Sequence, residues 1–358
     1  MEKNISIIIP TLNEKGNINI LFRKIKKSLD EANLSWEVIF VDDSHDYDTA
    51  NVINDLKKNN FNIHLIKRFE NRGLSSALIQ GALSSNACYI VFIDADLQHP
   101  PEKIKDLFLA IKSKKLDIVS ASRFLENNEL LHKKRYKASL FVNYLLKKIF
   151  KINYSDVLTG FFIIESKFFK SNYKHFSNIG FKLLLDIILS KKNTVKYSEI
   201  PFKFEKRLSG ESKLDSKVLI DFITLIIDKI FGKFIPARYF IYSFIGSLGV
   251  IFQLSIFYIS LFFVNFIPSL VFSIIITIFF NYILNNEITY SDLKKRGKFF
   301  YTGLLKYYFF CSFGAIFNFI SAKMLYDNLL NIYISVLLGA FVGSVWNYFM
   351  NNSYNWKN

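Results

Sequence analysis

Apolar and polar positions follow two different periods along the first part of the chain. Short apolar runs rich in β-branched residues predict strands over 5–9, 38–41, 63–66, 89–93 and 118–121. Between them, apolar residues recur at helical spacing and predict helices over 14–34, 48–59, 73–84 and 101–115. Alternating strands and helices are typical of a parallel sheet that is covered on both faces. We therefore expect an α/β domain with a mostly parallel sheet.

The last third of the chain has long apolar runs instead. Residues 239–264, 265–286 and 328–356 contain no charged side chain, and 299–322 contain only Lys306. Each run is long enough to cross about 30 Å of hydrocarbon. Basic residues cluster before the first run, between the second and third runs, and at the tail, so the positive-inside rule places these segments in the cytoplasm. The pattern predicts an all-α, four-helix transmembrane domain.

The two halves of this apolar region are similar to each other. In each half a basic residue, a tyrosine and a glycine precede an Asn-Tyr pair: Arg238, Tyr239, Gly246 and Asn281-Tyr282, then Lys306, Tyr307, Gly314 and Asn347-Tyr348. Two helical hairpins related by duplication resemble the GtrA-like membrane family, whose members accompany the synthesis of lipid-linked sugars. A plain four-helix anchor is the alternative, because fold does not determine function.

Two amphipathic segments lie outside the apolar runs. Residues 214–231 combine a narrow polar stripe with a wide apolar face, which predicts a helix in the membrane interface; a helix packed in the soluble core is the alternative. Residues 133–151 form a basic amphipathic helix that suits an anionic lipid surface. We expect a catalytic domain over 1–212, an interface helix and linker over 213–236, and a transmembrane domain over 237–358.

Charge is distributed unevenly along the 358 residues. The net charge is +16, yet residues 237–358 hold only 8 of the 46 basic and 3 of the 30 acidic side chains. A basic domain fused to membrane spans is expected to face anionic lipid headgroups, and we expect no nucleic-acid partner. The apolar run at 5–9 is too short for a signal peptide and ends at Pro10, so the first domain is expected to stay in the cytosol.

Acidic and amide side chains come after three of the predicted strands. The segments are Pro10-Thr11-Leu12-Asn13-Glu14, Asp42-Asp43-Ser44 and Asp94-Ala95-Asp96-Leu97-Gln98-His99-Pro100. Ligands of parallel sheets bind beyond the carboxyl ends of strands. Carboxylates there can accept hydrogen bonds from a nucleobase or a ribose, although helix capping is the usual role of such residues. The third segment can bind a hard divalent cation through Asp94, Asp96 and Gln98.

These segments belong to an ordered series of motifs. PTLNE, VDDS, DADLQHP, ASRF, a basic helix, DVLTGFF and RLSGESK occur in this order. The series resembles family-two glycosyltransferases of GT-A fold, and among them it is most similar to the polyprenyl-phosphate sugar synthases, which act on dolichyl or undecaprenyl phosphate. Ser44-His45-Asp46 departs from the Gly- or Ser-rich turn of many relatives. The absence of a QxxRW sequence disfavours processive synthases.

The resemblance implies a role for each motif residue. Mg²⁺ or Mn²⁺ would be held against the donor diphosphate by Asp94, Asp96 and Gln98. The nucleotide would be bound by Pro10, Leu12, Glu14, Asp42, Asp43 and Ala95. The donor and acceptor phosphates would be contacted by Arg123, Arg135, Arg207 and Lys213. Asp156 would orient the acceptor or assist its deprotonation, with a helix cap as the alternative.

The resemblance also implies an activity. It is the metal-dependent, inverting transfer of one sugar from a nucleotide-sugar, UDP-glucose or GDP-mannose, to polyprenyl phosphate at the cytoplasmic face of the cell membrane. Membrane lipid is an expected partner, and a homo-oligomer such as a tetramer is an expected assembly. Two alternatives remain open: a transferase acting on another membrane lipid, and a lipid-sugar flippase or binding protein.

Overall fold

The chain divides into two compact units, Met1–Leu225 and Ile226–Asn358. The computed structural model describes residues 3–60, 62–70, 72–125, 133–177, 182–191, 194–203, 216–232, 235–327 and 332–356.

The first unit is built around a sheet that has seven strands among the described residues. They are β1 (Ile5–Thr11), β2 (Trp36–Asp42), β3 (Ile63–Lys67), β4 (Tyr89–Phe92), β5 (Ile118–Ser122), β6 (Phe162–Glu165) and β7 (Tyr197–Pro201). Their order is β3-β2-β1-β4-β6-β5-β7. Strands β1 to β4 pair in parallel, β6 runs antiparallel between β4 and β5, and β7 pairs in parallel with β5. The prediction of a mostly parallel sheet is confirmed, and all five predicted strands are present.

Helices alternate with the strands as the sequence pattern predicts. They are α1 (Lys15–Asp30), α2 (Asp48–Lys58), α3 (Leu74–Ser84), α4 (Lys103–Lys114), α5 (Lys133–Phe150), α6 (Ser166–Asn172), α7 (Leu183–Ser190) and α8 (Ser216–Phe231). In α1 the buried side chains Ile18, Leu21, Phe22, Ile25 and Leu29 recur at three- and four-residue spacing. Both predicted amphipathic segments are helical, as α5 and α8.

One glycine allows a helix of the first unit to pack closely on the sheet. A Cβ atom at Gly81 in α3 would lie 2.6 Å from Ile8 Cγ2 and 2.9 Å from Val41 Cγ2. These two side chains belong to β1 and β2, and both are fully buried. Glycine is therefore required where α3 crosses the strands whose carboxyl ends carry the first two motifs.

The second unit contains four long helices among its described residues. They are α9 (Ala237–Ser260), α10 (Phe266–Leu284), α11 (Lys298–Asp327) and α12 (Ile332–Met350). Helix α9 packs against α10 and α12, and α11 packs against α10 and α12. In the part of the chain that is described, Ala237–Ser260 and Val271–Thr289 are long and apolar enough to cross a membrane.

The internal duplication is present in the second unit, but with a different register from the predicted one. Gly249 of α9 lies against the Asn281 side chain of α10, and Gly314 of α11 lies against Asn347 of α12. A Cβ atom at Gly246 would meet nothing within 4 Å. The equivalent of Gly314 is therefore Gly249 and not Gly246, because only Gly249 accommodates the asparagine of the facing helix.

Each hairpin of the second unit ends in the same way. A π-helical turn comes after α10 at Asn285–Thr289 and another comes after α12 at Asn351–Asn355. The aromatic residues directly after these turns, Tyr290 and Trp356, stack on each other with ring centroids 4.2 Å apart. The two hairpins thus meet through equivalent residues.

Candidate active site

The acidic turn Asp94–Gln98 lies after β4 and is held by its own backbone conformation. Leu97 has a positive φ of 63°, which is costly for a branched side chain. Its side chain is buried in the core of the first unit, and the Gln98 N–H donates to Asp96 Oδ1 over 3.2 Å. Burial of Leu97 therefore stabilises a turn that leaves the Asp94 side chain 38% exposed while Asp96 is buried.

The DVLTGFF segment packs beneath this turn. A Cβ atom at Gly160 would lie 2.8 Å from Asp94 Oδ2. His99 Nδ1 lies 3.6 Å from the same oxygen, Asp94 Oδ2. The His99 ring stacks on the ring of Phe161, with the two centroids 5.4 Å apart. Burial lowers the pKa of His99, although Asp94 and Asp96 act in the opposite direction. A neutral imidazole packed on Phe161 beside Asp94 has a structural role.

The oxygen donors of the turn suit Mg²⁺ or Mn²⁺. Asp94 and Asp96 supply carboxylates and Gln98 supplies an amide oxygen, which are hard ligands. No group of three His, Cys, Asp or Glu side chains that could hold a metal occurs within the described residues. Mg²⁺ is commonly held by one or two carboxylates together with substrate phosphates, so this composition fits a site that a diphosphate completes.

Arg123 is positioned at the end of β5 by a buried carboxylate. Arg123 Nε donates to Asp156 Oδ2 over 2.6 Å and its Nη2 donates to Oδ1 over 2.8 Å. Asp156 is fully buried and precedes no helix, so the helix-cap alternative is wrong. Burial acts to lower the pKa of Arg123, but the hydrogen bond and charge of Asp156 outweigh it and the pKa is raised.

A second carboxylate fixes the loop that carries Asp156. Glu199 of β7 accepts hydrogen bonds from the backbone N–H groups of Ser155 over 2.7 Å and of Asp156 over 3.0 Å. The Ser155 hydroxyl donates to the same carboxylate over 2.8 Å. Glu199 was not predicted from the sequence, because a single glutamate in a short edge strand carries no motif.

Lys182 is a further cation of this region, and no sequence motif points to it. Its Nζ donates to the Leu158 carbonyl oxygen over 2.7 Å. Burial and the positive charge of Arg123 lower the pKa of Lys182 to about 8, although Asp94 and Asp156 raise it. Lys182 therefore shares the electrostatic environment of the acidic turn and of the Arg123–Asp156 pair. Its position directly before α7, far from the motifs in sequence, explains why it was not predicted.

Asp42 ends β2 and Asp43 follows it, and each has a basic partner, which is Lys67 at the end of β3 or Arg68 directly after it. Lys67 Nζ donates to Asp42 Oδ2 over 2.7 Å, and Asp42 also accepts from the Ser44 hydroxyl over 2.6 Å. Arg68 Nε donates to Asp43 Oδ1 over 2.6 Å. The side chain of Asp42 is fully buried, whereas that of Asp43 is 10% exposed. Neither basic partner was expected from the sequence.

The other predicted nucleotide-binding residues lie around the same strand ends. Pro10 is half-buried at the end of β1, Leu12 is exposed, and Ala95 is buried. Glu14 Oε2 accepts a hydrogen bond from the Asn17 amide over 2.8 Å. Arg135 lies in α5, and its side chain is outside what the structure describes; Arg207 and Lys213 lie outside the described residues altogether. The roles of these three basic residues stay predictions.

Comparison with known families matches two separate regions of the chain. Residues 6–172 match Glycosyl transferase family 2. Residues 241–356 match the GtrA/DPMS transmembrane domain.

One similar protein covers almost the whole chain, and two others cover about three fifths of it. A dolichol-phosphate mannosyltransferase from Pyrococcus furiosus is 32% identical over 98% of this chain and 99% of its own length. Two enzymes of the same name, from Mycosarcoma maydis and Saccharomyces cerevisiae, are each 29% identical, over 62% and 61% of this chain and 78% and 84% of their own lengths. Among solved structures, glucosyl-3-phosphoglycerate synthase from Mycobacterium tuberculosis has a TM-score of 0.48 at 14% identity, covering 63% of this chain and 80% of that one.

Proposed function

Because the chain belongs to the family-two glycosyltransferases of GT-A fold that carry a GtrA/DPMS transmembrane domain, we propose that it transfers mannose from GDP-mannose to polyprenyl phosphate. The observation that carries the proposal is the full-length similarity to a dolichol-phosphate mannosyltransferase. In addition, Asp94 of the acidic turn, Arg123 and Asp156 all influence the pKa of Lys182, so these charged groups lie in one region of the first unit. The product would be a lipid-linked sugar. We place the first unit on the cytoplasmic side of the membrane, since basic residues flank the apolar helices there.

The chemistry of the donor explains the need for positive charge. A nucleoside diphosphate leaves when the glycosidic bond breaks, and negative charge develops on its terminal oxygen. Asp94, Asp96 and Gln98 would hold Mg²⁺ or Mn²⁺, which neutralises part of that charge when bound. Arg123 and Lys182 supply fixed positive charge to the same region. Preorganised cations of this kind stabilise a transition state without reorganising during the reaction.

The chemistry of the acceptor makes a strong general base unnecessary. A phosphomonoester has a second pKa near ~6, so its oxygen is already largely an anionic nucleophile at neutral pH. Asp156 is fully buried, and both of its oxygens accept hydrogen bonds from Arg123. This pairing favours a role in positioning Arg123 over a role in deprotonating the acceptor. Attack by the phosphate oxygen on the sugar carbon, with departure of the diphosphate, inverts that carbon.

The arrangement after β2 supports different roles for the two aspartates. Asp42 is buried against Lys67 and Ser44, so we assign it to shaping the turn. Asp43 is also buried and Arg68 donates to both of its oxygens, but its side chain keeps 10% exposure, and we assign it, with Leu12 and Glu14, to the nucleoside. A carboxylate can accept hydrogen bonds from the Watson–Crick edge of guanine, so this assignment is compatible with a guanosine donor.

The test is a transfer assay with full-length protein in detergent, undecaprenyl phosphate, Mn²⁺ or Mg²⁺, and radiolabelled GDP-mannose, UDP-glucose and other nucleotide-sugars. We expect label from GDP-mannose to enter the organic phase. EDTA and Asp96→Asn should each lower the rate at least a hundredfold, the size of effect seen when a group that stabilises developing charge is removed. Asp106→Asn, which changes an exposed aspartate of α4, is the matched control and should leave the rate unchanged.

Transfer from UDP-glucose alone would contradict the assigned donor but would still support sugar transfer to polyprenyl phosphate. Full activity in EDTA would contradict the metal assignment. Binding of donors without transfer to any polyprenyl phosphate would contradict the proposed acceptor.

A further inference from the structure

The loop between α10 and α11 is held rigidly at Lys295. The Lys295 N–H donates to Asn286 Oδ1 over 2.9 Å, and Asn286 Nδ2 donates to the Lys295 carbonyl oxygen over 3.1 Å. Trp356 Nε1 donates to the same Asn286 oxygen over 3.1 Å. Asn286 and Trp356 are both buried. The Asn286 side chain therefore holds the backbone of Lys295, and Trp356 of the second hairpin holds Asn286.

The side chain of Lys295 lies beside a second lysine. Its stem crosses Gly303 in the first turns of α11, where a Cβ atom would come within 2.6 Å of Lys295 Cδ. Lys306 is three residues further along, and residues at this spacing are neighbours on a helix surface. Lys306 Nζ lies 3.5 Å from the Tyr354 carbonyl oxygen. The stem of Lys295 and the side chain of Lys306 thus lie on neighbouring parts of the α11 surface.

The described side chains provide no carboxylate for this pair. Glu287, the acidic residue nearest in sequence whose side chain is described, pairs with Lys294 over 2.5 Å. Within the described part of the second unit, no ion pair includes Lys295 or Lys306. Burial and the positive charge of Lys306 lower the pKa of Lys295. Adjacent like charges without a counter-charge among the described side chains favour the binding of an anion from outside the chain.

The surface that continues from Lys306 is apolar. Leu305 is 70% exposed and Phe309 is 58% exposed, and Ile316 and Ile320 continue this exposed face along α11. A soluble anion would gain no binding free energy from contact with this apolar surface. An amphipathic anion would place its charged head at the lysines and its hydrocarbon along the helix.

We propose that Lys295 and Lys306 form a binding site for the phosphate group of an anionic membrane lipid, whose hydrocarbon chains lie along the exposed face of α11 that contains Leu305 and Phe309. The site is separate from the acidic turn of the first unit, and it does not depend on which sugar or acceptor the enzyme uses. It gives the second unit a lipid-binding function of its own.

The test measures lipid retention by the full-length protein. The protein is reconstituted in phosphatidylcholine nanodiscs that contain a minor fraction of phosphatidylglycerol, and the lipids that stay bound after release from the disc are counted by native mass spectrometry. The double variant Lys295→Gln/Lys306→Gln should retain phosphatidylglycerol roughly twenty-fivefold more weakly relative to phosphatidylcholine, on the order of fivefold for each lysine. The double variant Lys295→Arg/Lys306→Arg should retain phosphatidylglycerol as strongly as the wild-type protein does.

The matched control removes the same charge elsewhere in the same loop and helix. Lys294→Gln/Lys298→Gln changes a lysine that is already paired with Glu287 and an exposed lysine at the start of α11. Equal losses in the two glutamine variants would overturn the proposal, because general surface charge would then explain retention. Displacement of the lipid by inorganic phosphate would also overturn it, since the ligand would then be a soluble anion. Unchanged thermal unfolding of each variant verifies that the fold is kept.

Discussion

Lys182 illustrates how its surroundings set the chemistry of a single side chain. Its pKa is lowered to about 8 by burial and by Arg123, so the charged form prevails below that pH and is lost above it. If the charge of Lys182 binds substrate phosphate, the transfer rate should fall as the pH rises through about 8. Lys182→Arg should move this fall to higher pH, because guanidinium stays charged.

Lys182→Met removes the charge at every pH. We expect a roughly hundredfold lower rate at neutral pH, the usual cost of deleting one group that stabilises developing charge. The measurement is the pH profile of the transfer rate for all three proteins. An identical alkaline limb in the unchanged protein and in Lys182→Arg would show that another group is responsible.

Gly160 controls the position of Asp94. A methyl group there would lie 2.8 Å from Asp94 Oδ2, so Gly160→Ala must displace the carboxylate. We expect a decrease of on the order of a hundredfold in kcat/KM, because a small misplacement of a positioned group is costly. Transfer kinetics over a range of Mn²⁺ concentrations test this. Gly246→Ala, at a position with open space, is the control and should be indistinguishable from the unchanged protein.

Motif residues could be identified from the sequence, but their partners could not. Asp94 and Asp96 lie after a strand that hydrophobic patterning reveals. Arg68 lies 25 residues from Asp43 in sequence, and the partners of Lys182 and Glu199 are also distant or in different strands. A pairing of this kind depends on strand order, which single-sequence patterning does not determine.

Among the secondary-structure elements, the regular strand–helix alternation is what the sequence predicts well. Strands β1 to β5 were all expected, whereas β6 and β7 were not. Strand β6 has only four residues and comes after a loop, and it enters the sheet antiparallel between β4 and β5. Its neighbours in the sheet precede it in the chain by many residues, so local periodicity contains no sign of the insertion.

Helix α3 offers a test of close packing in the first unit. Gly→Ala within a helix normally stabilises by about 0.5–1 kcal/mol. Gly81→Ala should have the opposite sign and destabilise by about 1–3 kcal/mol, because its methyl group would overlap Ile8 and Val41. The thermal midpoint of the full-length protein in detergent should fall by several degrees. Gln80→Ala, an exposed neighbour in α3, should not lower it; equal midpoints for both variants would contradict this packing.

For the molecule as a whole, a GT-A unit and a membrane unit in one chain confine catalysis to the bilayer surface. The proposed acceptor has a water-soluble phosphate and a water-insoluble tail, so both reactant and enzyme partition into the membrane. The transfer rate should therefore depend on the mole fraction of polyprenyl phosphate in the vesicles and not on its bulk concentration. Adding phosphatidylcholine at constant total acceptor should slow the reaction in proportion to the dilution, and a rate that stays constant would contradict surface-confined catalysis.

The equivalent ends of the two hairpins explain how duplication of one hairpin can build the second unit. Each hairpin of the second unit starts and finishes at the same end, with Asn285–Thr289 and Asn351–Asn355 as matching exits. Copying one hairpin therefore adds two helices and leaves the direction of the next helix unchanged. The stacked Tyr290 and Trp356 occupy equivalent positions, each directly after the π-helical turn of its hairpin. Two copies of one hairpin therefore supply all of these contacts, since each brings its own glycine–asparagine pair and one of the two stacked rings.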